Sequence, residues 1–278
     1  MNILHLSKFD WPTQPLYSCN PWIGCYFNCS YCWSHRLAKR WNPKINWTEP
    51  RINPLIDIKT SNLSWNDITG EFSKIGDSYV LLSATTDPYQ PLEAEALATH
   101  GLLRFALKSK CRVLILTKSP LVLSDLDLLK QFGDRVEVGF TITGFENRPT
   151  LEEPEAPPNS ERARAVMKIK KAGLKTYVSL EPWLPSLYII LRIETLKSYV
   201  DRWIIGPLDH ARSRKLKYYY AKRLTPLIDY AHREGLDVWL KGDLVKCLWP
   251  EWGDGGITVS DLVLKKGILA QPKECLEK

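Results

Sequence analysis

Apolar positions gather in short runs along the 278-residue chain, separated by longer amphipathic stretches. Tyr79-Val80-Leu81-Leu82 and Arg112-Val113-Leu114-Ile115-Leu116 are near-continuous apolar runs, the pattern of strands buried on both faces. Residues 16–19, 136–142, 174–180, 202–205 and 236–240 read as further strands. Helical patterns lie between them. Residues 91–108 carry a stripe at Leu92, Ala96, Leu103 and Leu107, and 125–132 start behind Ser124 and stop at Gly133. Residues 160–172 start behind Asn159 as cap and end at Gly173, and 191–199 and 214–234 complete the set. Strands alternating with helices argue for a parallel sheet with right-handed crossovers. The predicted fold class is α/β, a partial (β/α) barrel of about six parallel strands with an N-terminal lead-in and a C-terminal cap. One domain over 1–278 is expected, with its core at about 16–210 and an extension over 211–278.

The remaining stretches are irregular. The lead-in, broken at Pro12 and Pro15, is expected to wrap the outside of the fold. Residues 42–62, with Pro43, Pro50 and Pro54, read as an extended surface insertion without chemistry, and 148–158 as a proline-rich loop. Residues 34–41 form a short basic helix on which His35 reads as solvated, and the tail over 246–278 carries one helical stretch at 260–265.

Composition narrows the class. Hydrophobic residues at 44% and charged residues at 25% are ordinary globular values. No apolar run reaches the 18 or so residues of a membrane span, and the N-terminus has no signal-peptide core, so a cytoplasmic protein is expected. The seven cysteines are odd in number and suit a reducing compartment; Cys19, Cys111, Cys247 and Cys275 are scattered and read as small buried apolar residues. The net charge of +7 favours an anionic partner. Residues 212–223 are the most basic stretch and interleave Tyr218, Tyr219 and Tyr220, which suits phosphates and bases. The same helix reads equally as a solvated one, with Leu216, Tyr219, Tyr220 and Leu224 inward and His210 just before it.

The chemistry lies in Asn20-Pro21-Trp22-Ile23-Gly24-Cys25-Tyr26-Phe27-Asn28-Cys29-Ser30-Tyr31-Cys32-Trp33. Three cysteines in one tight loop can hold three irons of a cubane cluster that has four. The fourth iron is then open to another chelator, such as the amine and carboxylate of an amino acid. A zinc site prefers four ligands, usually in Cys-x2-Cys pairs, and a second pair is absent.

With Cys-x3-Cys-x2-Cys spacing and Tyr31 before the third cysteine, the run resembles the signature of radical S-adenosylmethionine enzymes. The resemblance implies a [4Fe–4S] cluster on Cys25, Cys29 and Cys32, S-adenosyl-L-methionine on its unique iron, Tyr31 near the adenine, and a reducing electron donor such as flavodoxin or ferredoxin. The predicted strand ends are polar: Thr85-Thr86-Asp87, Thr117-Lys118-Ser119, Thr141 with Thr143, Glu181, and 206–210. Hydroxyls and a lysine are what a zwitterionic methionine end requires. Taken singly, Lys118 could be a surface lysine, Thr86 and Thr141 β-formers, Glu181 the partner of an arginine, and Asp87 a helix cap.

Thr86-Asp87-Pro88-Tyr89-Gln90-Pro91 and Ile115-Leu116-Thr117-Lys118-Ser119 are similar to the spore photoproduct lyase-related, DNA repair photolyase-like branch, over about residues 16–210. By motif position Thr86, Lys118 and Thr141 would hold the methionine end of the cofactor. Two departures stand out: the lyase's hydrogen-donor cysteine is replaced by Ala84, and the tyrosine after its third cluster cysteine by Trp33. The resemblance therefore implies a deoxyadenosyl radical that abstracts hydrogen from a substrate, DNA or RNA being candidates, but not spore photoproduct repair itself. The other class open to the sequence is a nucleic-acid-binding module whose cysteines hold zinc or a structural cluster without turnover.

Overall fold

A computed structural model describes residues 3–13, 15–57, 64–143, 152–183, 187–207, 214–249 and 255–266, with the backbone alone for 187–190, 214–223, 247–248 and 263–266. The chain forms two compact units. The first comprises Met1–Phe9, Thr13–Phe140 and Glu146–Thr176, and the second Asp10–Pro12, Thr141–Phe145 and Tyr177–Lys278. His210, Cys275 and the side chains of Leu216, Tyr219, Tyr220 and Cys247 lie outside the described residues.

In the first unit the elements run β1 (His5–Leu6), β2 (Leu16–Cys19), β3 (Trp22–Ile23), α1 (Trp33–Trp41), β4 (Arg51–Ile52), α2 (Trp65–Lys74) and β5 (Tyr79–Leu82). They continue with α3 (Glu93–Ala96), α4 (Ala98–Leu107), β6 (Arg112–Thr117), α5 (Leu126–Lys130), β7 (Val136–Thr141) and α6 (Asn159–Lys171). Strands β2, β5, β6 and β7 are parallel neighbours in that order, with Leu16 opposite Tyr79, Val80 opposite Val113 and Ile115 opposite Val138. β1 closes the β2 edge antiparallel. Their apolar runs are continuous because both faces are covered: Val80, Leu82, Val113, Leu114, Ile115, Val136 and Val138 are fully buried. Full burial of such a side chain contributes about 1.5–3 kcal/mol.

The second unit holds β8 (Lys175–Leu180), α7 (Leu187–Leu196), β9 (Arg202–Ile205), α8 (Arg214–Arg233), β10 (Val238–Leu240), α9 (Gly242–Leu248), β11 (Ile257–Thr258) and α10 (Val259–Lys266). β8, β9 and β10 are parallel and β11 is antiparallel to β10. The mostly parallel α/β class expected from the alternation is present in both units. No helix among the described residues is long and apolar enough to cross a membrane.

Several boundaries differ from the sequence reading. The helix expected over 91–108 is two helices, because Leu97 turns left-handed at φ 53°. The buried Glu93 carboxylate makes the break possible by accepting from Thr99 N (2.9 Å) and His100 N (3.0 Å), the open amides of α4. The start placed at Ser124 lies earlier: Ser119 Oγ accepts from Leu121 N at the head of a 3-10 turn over Pro120–Asp125, while Ser124 Oγ donates back to Leu121 O. Asn159 is already the first residue of α6, behind Pro158. Trp11 does not wrap the outside. It is buried, with its ring centre 4.9 Å from that of Tyr177 in an edge-on arrangement. Residues 42–57 are not merely a surface insertion either, since β4 pairs with β3 and both Trp47 and Ile56 are buried.

Glu93 also yields a pH prediction. Burial raises its carboxyl to about 7, against bonds from Thr99 and His100 that favour the ionised form. A carboxyl raised in the folded state binds more protons there than in the unfolded chain, so its contribution to stability falls as pH rises from its unfolded value to about 7. Glu93→Gln removes that titration. The difference in unfolding free energy between wild type and variant, followed by urea unfolding, should shift toward the variant over that range and be flat above it.

Candidate functional site

The cysteine loop runs from β3 into α1, and its backbone is pinned from three directions. Gly24 sits at φ +87°, and a Cβ there would meet the Trp47 carbonyl oxygen at 2.6 Å, so only glycine fits. That carbonyl accepts from Cys25 N at 2.8 Å. The fully buried Gln90 amide clamps the turn from the other side, accepting from Tyr26 N (2.9 Å) and donating to Gly24 O (3.4 Å). Further on, Ser30 N donates to Glu152 O at 2.9 Å. Cys32 caps α1, its Sγ accepting from His35 N at 3.4 Å. All three thiols are free of disulfides, and they pack with Phe27, Tyr31 and Ala156. Cys19 and Cys111 are buried and free, as expected of small apolar residues. His35 is not simply solvated; its ring stacks on Trp47 at 5.7 Å.

The segment Asp87–Gln90 ties this loop to the end of β6. Asp87 caps no helix. Its buried carboxylate accepts from Thr117 Oγ1 (2.6 Å), Lys118 N (2.7 Å) and Tyr89 N (2.9 Å). Burial raises its carboxyl and these bonds oppose the rise. Pro88 O accepts from Trp22 Nε1 and Thr99 Oγ1, and Tyr89 Oη donates to Asp125. Asp87 thus holds Lys118 at the strand end and Gln90 holds the cysteine turn, while Pro88 and Tyr89 anchor the segment between them to Trp22, Thr99 and Asp125. Thr86 Oγ1 lies 3.1 Å from Ser83 Oγ, and Thr85 donates from N and Oγ1 to Asn20 Oδ1.

Lys118, Tyr31 and the cysteines meet around a residue that the sequence reading passed over. Glu153 is 4% exposed. It accepts from Tyr31 Oη, lies 3.9 Å from Lys118 Nζ, and receives Arg162 Nη2 at 2.8 Å; Arg162 is itself 1% exposed. The ammonium of Lys118 stands 5.7 Å from the centre of the Tyr31 ring. Burial alone would raise the Glu153 carboxyl, but Lys118 and Arg162 hold it below the usual range. Burial alone would lower the Lys118 ammonium, but Cys29 and Glu153 hold it above. The same pocket pushes the Tyr31 phenol well up, through burial first and then the Glu153 carboxylate. Burial raises Cys29, which Lys118 opposes, and lifts Cys25 to about 12. The signal that could have revealed Glu153 is on α6, where Arg162 occupies the inward stripe shared with Ala165, Val166 and Ile169. An arginine among core positions requires a carboxylate.

Thr141 and Glu181 belong to the second unit. Thr141 is buried at the end of β7. Glu181 pairs with a lysine rather than an arginine, Lys241 Nζ at 2.5 Å, and a Cβ on Gly206 would lie 2.8 Å from Glu181 Oε1.

The donor set fits an iron–sulfur cluster: three free thiols share one loop, on a backbone fixed by its neighbours and beside a cation. Among the described residues no three His, Cys, Asp or Glu side chains converge as ligands of a single ion do. A family model for the Radical SAM superfamily matches residues 19–186. The chain belongs to that superfamily. Membership implies S-adenosylmethionine and an iron–sulfur cluster as its cofactors.

An uncharacterized protein of Methanocaldococcus jannaschii is 30% identical over 208 residues, covering 73% of this chain and 74% of the relative. One of Acidianus two-tailed virus is 28% identical, covering 70% and 68%. Among solved structures, a spore photoproduct lyase mutant with bound AdoMet and dinucleoside spore photoproduct aligns with TM-score 0.54 and 17% identity, over 79% of this chain. Streptococcus suis SuiB bound to S-adenosylmethionine aligns with TM-score 0.54 and 14% identity, over 88% of this chain. The chain spans 63% of the lyase and 54% of SuiB. These likenesses establish the radical SAM fold expected from the sequence.

Proposed function

We propose that the protein is a radical SAM enzyme in which Cys25, Cys29 and Cys32 hold a [4Fe–4S] cluster, with a nucleic acid as the substrate. The observation that carries this reading is the meeting of the cysteine loop with Tyr31 and Lys118 around Glu153. When bound, the cluster supplies the electron that cleaves S-adenosylmethionine to a 5′-deoxyadenosyl radical, which abstracts hydrogen from the substrate.

The chain's own residues then divide the remaining work. Lys118, held cationic, offers a charge-assisted bond to the methionine carboxylate. Glu153 keeps Lys118 and Tyr31 in place, and Asp87 fixes the Lys118 backbone. Thr86 offers a half-buried hydroxyl 3.1 Å from Ser83 Oγ, and Thr86, Thr141 and Glu181 are assigned by motif and strand-end position. Ala84 supplies no hydrogen atom, and Trp33 is 46% exposed, so the lyase's means of returning hydrogen is missing from both positions. A substrate radical would have to be quenched or rearranged by other means. The nucleic-acid assignment rests on the net charge of +7 and the lyase-type motifs.

The test is anaerobic reconstitution with iron and sulfide, reduction with dithionite and measurement of 5′-deoxyadenosine with and without single-stranded oligonucleotides. Cleavage stimulated by oligonucleotide supports the assignment; stimulation by peptides alone would move the substrate to another class, and absence of 5′-deoxyadenosine would end the enzyme reading. Lys118→Met should raise the KM for S-adenosylmethionine about 10–100-fold, the equivalent of one charged hydrogen bond, while leaving the iron content unchanged.

A further inference from the structure

Helix α1 is turned inside out. It buries Ser34 and half-buries Ala38 and His35, yet exposes Trp33 (46%), Leu37 (43%) and Trp41 (81%). Those three fall at i, i+4 and i+8, one continuous stripe on the outer face. A helix packed by its core would present the reverse. Arg36 and Arg40 run beside the stripe, Lys39 lies farther round, all three are exposed, and residues 33–41 contain no acid. An exposed apolar stripe with a cationic border marks a contact for a partner that is anionic around an apolar spot.

The position of the helix selects the partner. Cys32 is its N-cap, so the stripe begins one peptide from a cluster cysteine, and His35 N touches the Cys32 sulfur. The loop's two aromatic neighbours of Cys32 diverge: Tyr31 is drawn in to Glu153 and Lys118, whereas Trp33 is exposed. A substrate has to reach the side that carries Tyr31 and Lys118. An electron needs only a short path to a cysteine sulfur, and it can enter from the solvent side without disturbing what is bound within. Protein pairs that exchange electrons meet through small interfaces, and charge steers their encounter.

We infer that the outer face of α1 is the docking surface for an acidic one-electron carrier protein. This rests on the radical SAM reading above: one electron leaves the carrier's reduced centre and is taken up at the cluster held by Cys25, Cys29 and Cys32, with no bond or proton exchanged at the surface. The probe is a bacterial flavodoxin, an acidic carrier, used with the full-length reconstituted protein.

Binding is measured by calorimetry at low salt, and reduction by the rate at which flavodoxin hydroquinone bleaches the cluster absorbance. Leu37→Glu/Arg40→Glu, at two exposed positions, should weaken flavodoxin binding at least tenfold and slow flavodoxin-driven reduction by a similar factor. Iron content and dithionite-driven reduction should stay unchanged. Trp41→Ala should weaken binding with less change in its salt dependence. If wild type does not bind flavodoxin at low salt, or binds it equally well after the double substitution, the inference is overturned. It is also overturned if the double substitution abolishes binding of a single-stranded 20-mer while sparing flavodoxin, which would make α1 a nucleic-acid surface. If flavodoxin binding depends on α1 but dithionite gives no 5′-deoxyadenosine, the docking surface stands and the enzyme reading fails.

Discussion

Cys29→Ala protein is expected to leave anaerobic reconstitution without the cluster's visible absorbance and to form no 5′-deoxyadenosine, while unfolding in urea close to wild type. Cys29 is the most buried of the three loop thiols and lies between Lys118 and the apolar contacts of Phe27 and Ala156. Losing one of three cluster thiolates leaves two in the loop, and the acid beside Cys29, Glu153, is already engaged by Lys118, Arg162 and Tyr31. The loop itself is held by backbone and Gln90 bonds that do not involve that sulfur, which is why the fold should persist. Retention of a full cluster spectrum in the variant would refute the ligand assignment.

Glu153→Ala should instead act through stability. It removes the carboxylate between two buried cations, Lys118 and Arg162, and takes away the partner of Tyr31 Oη. Breaking a buried pair from one side costs about 3–5 kcal/mol. The urea midpoint should fall accordingly, while Glu153→Gln, which keeps the shape and an acceptor, should cost less and yet still loosen the hold on Lys118. That second variant separates the two roles: near-normal unfolding with a raised KM for S-adenosylmethionine identifies Glu153 as a positioning residue, whereas unchanged kinetics would reduce it to a structural one.

Much of this molecule is legible because its strands are written in apolar runs and its loop in three cysteines. Val80–Leu82 and Val113–Ile115 can be nothing but covered strands, and the Cys-x3-Cys-x2-Cys spacing depends on no distant residue. What escaped the sequence reading depends on distant residues throughout. The break at Leu97 needs a carboxylate from Glu93 reaching six residues forward, which periodicity does not register. The support under the cysteine turn is a backbone carbonyl, Trp47 O, for which no side-chain pattern exists. Glu153 sat in a stretch that reads as a plain proline-rich loop, and its partner Tyr31 is 122 residues away in sequence. The Asp87–Gln90 segment was recognised as a motif, but its physical purpose, a brace between two halves of the site, appears only when its bonds are traced.

The Glu153–Arg162 pair has a consequence for how this protein can change. Either residue replaced alone leaves a buried charge facing the wrong surroundings, whereas replacing both removes that mutual penalty and leaves the separate loss of the Glu153 contacts to Lys118 and Tyr31. The two codons are therefore epistatic, and a path from one state to the other by single steps crosses a fitness valley. A library built to redirect this scaffold to new substrates will recover little from positions 153 and 162 varied one at a time, and should randomise them together.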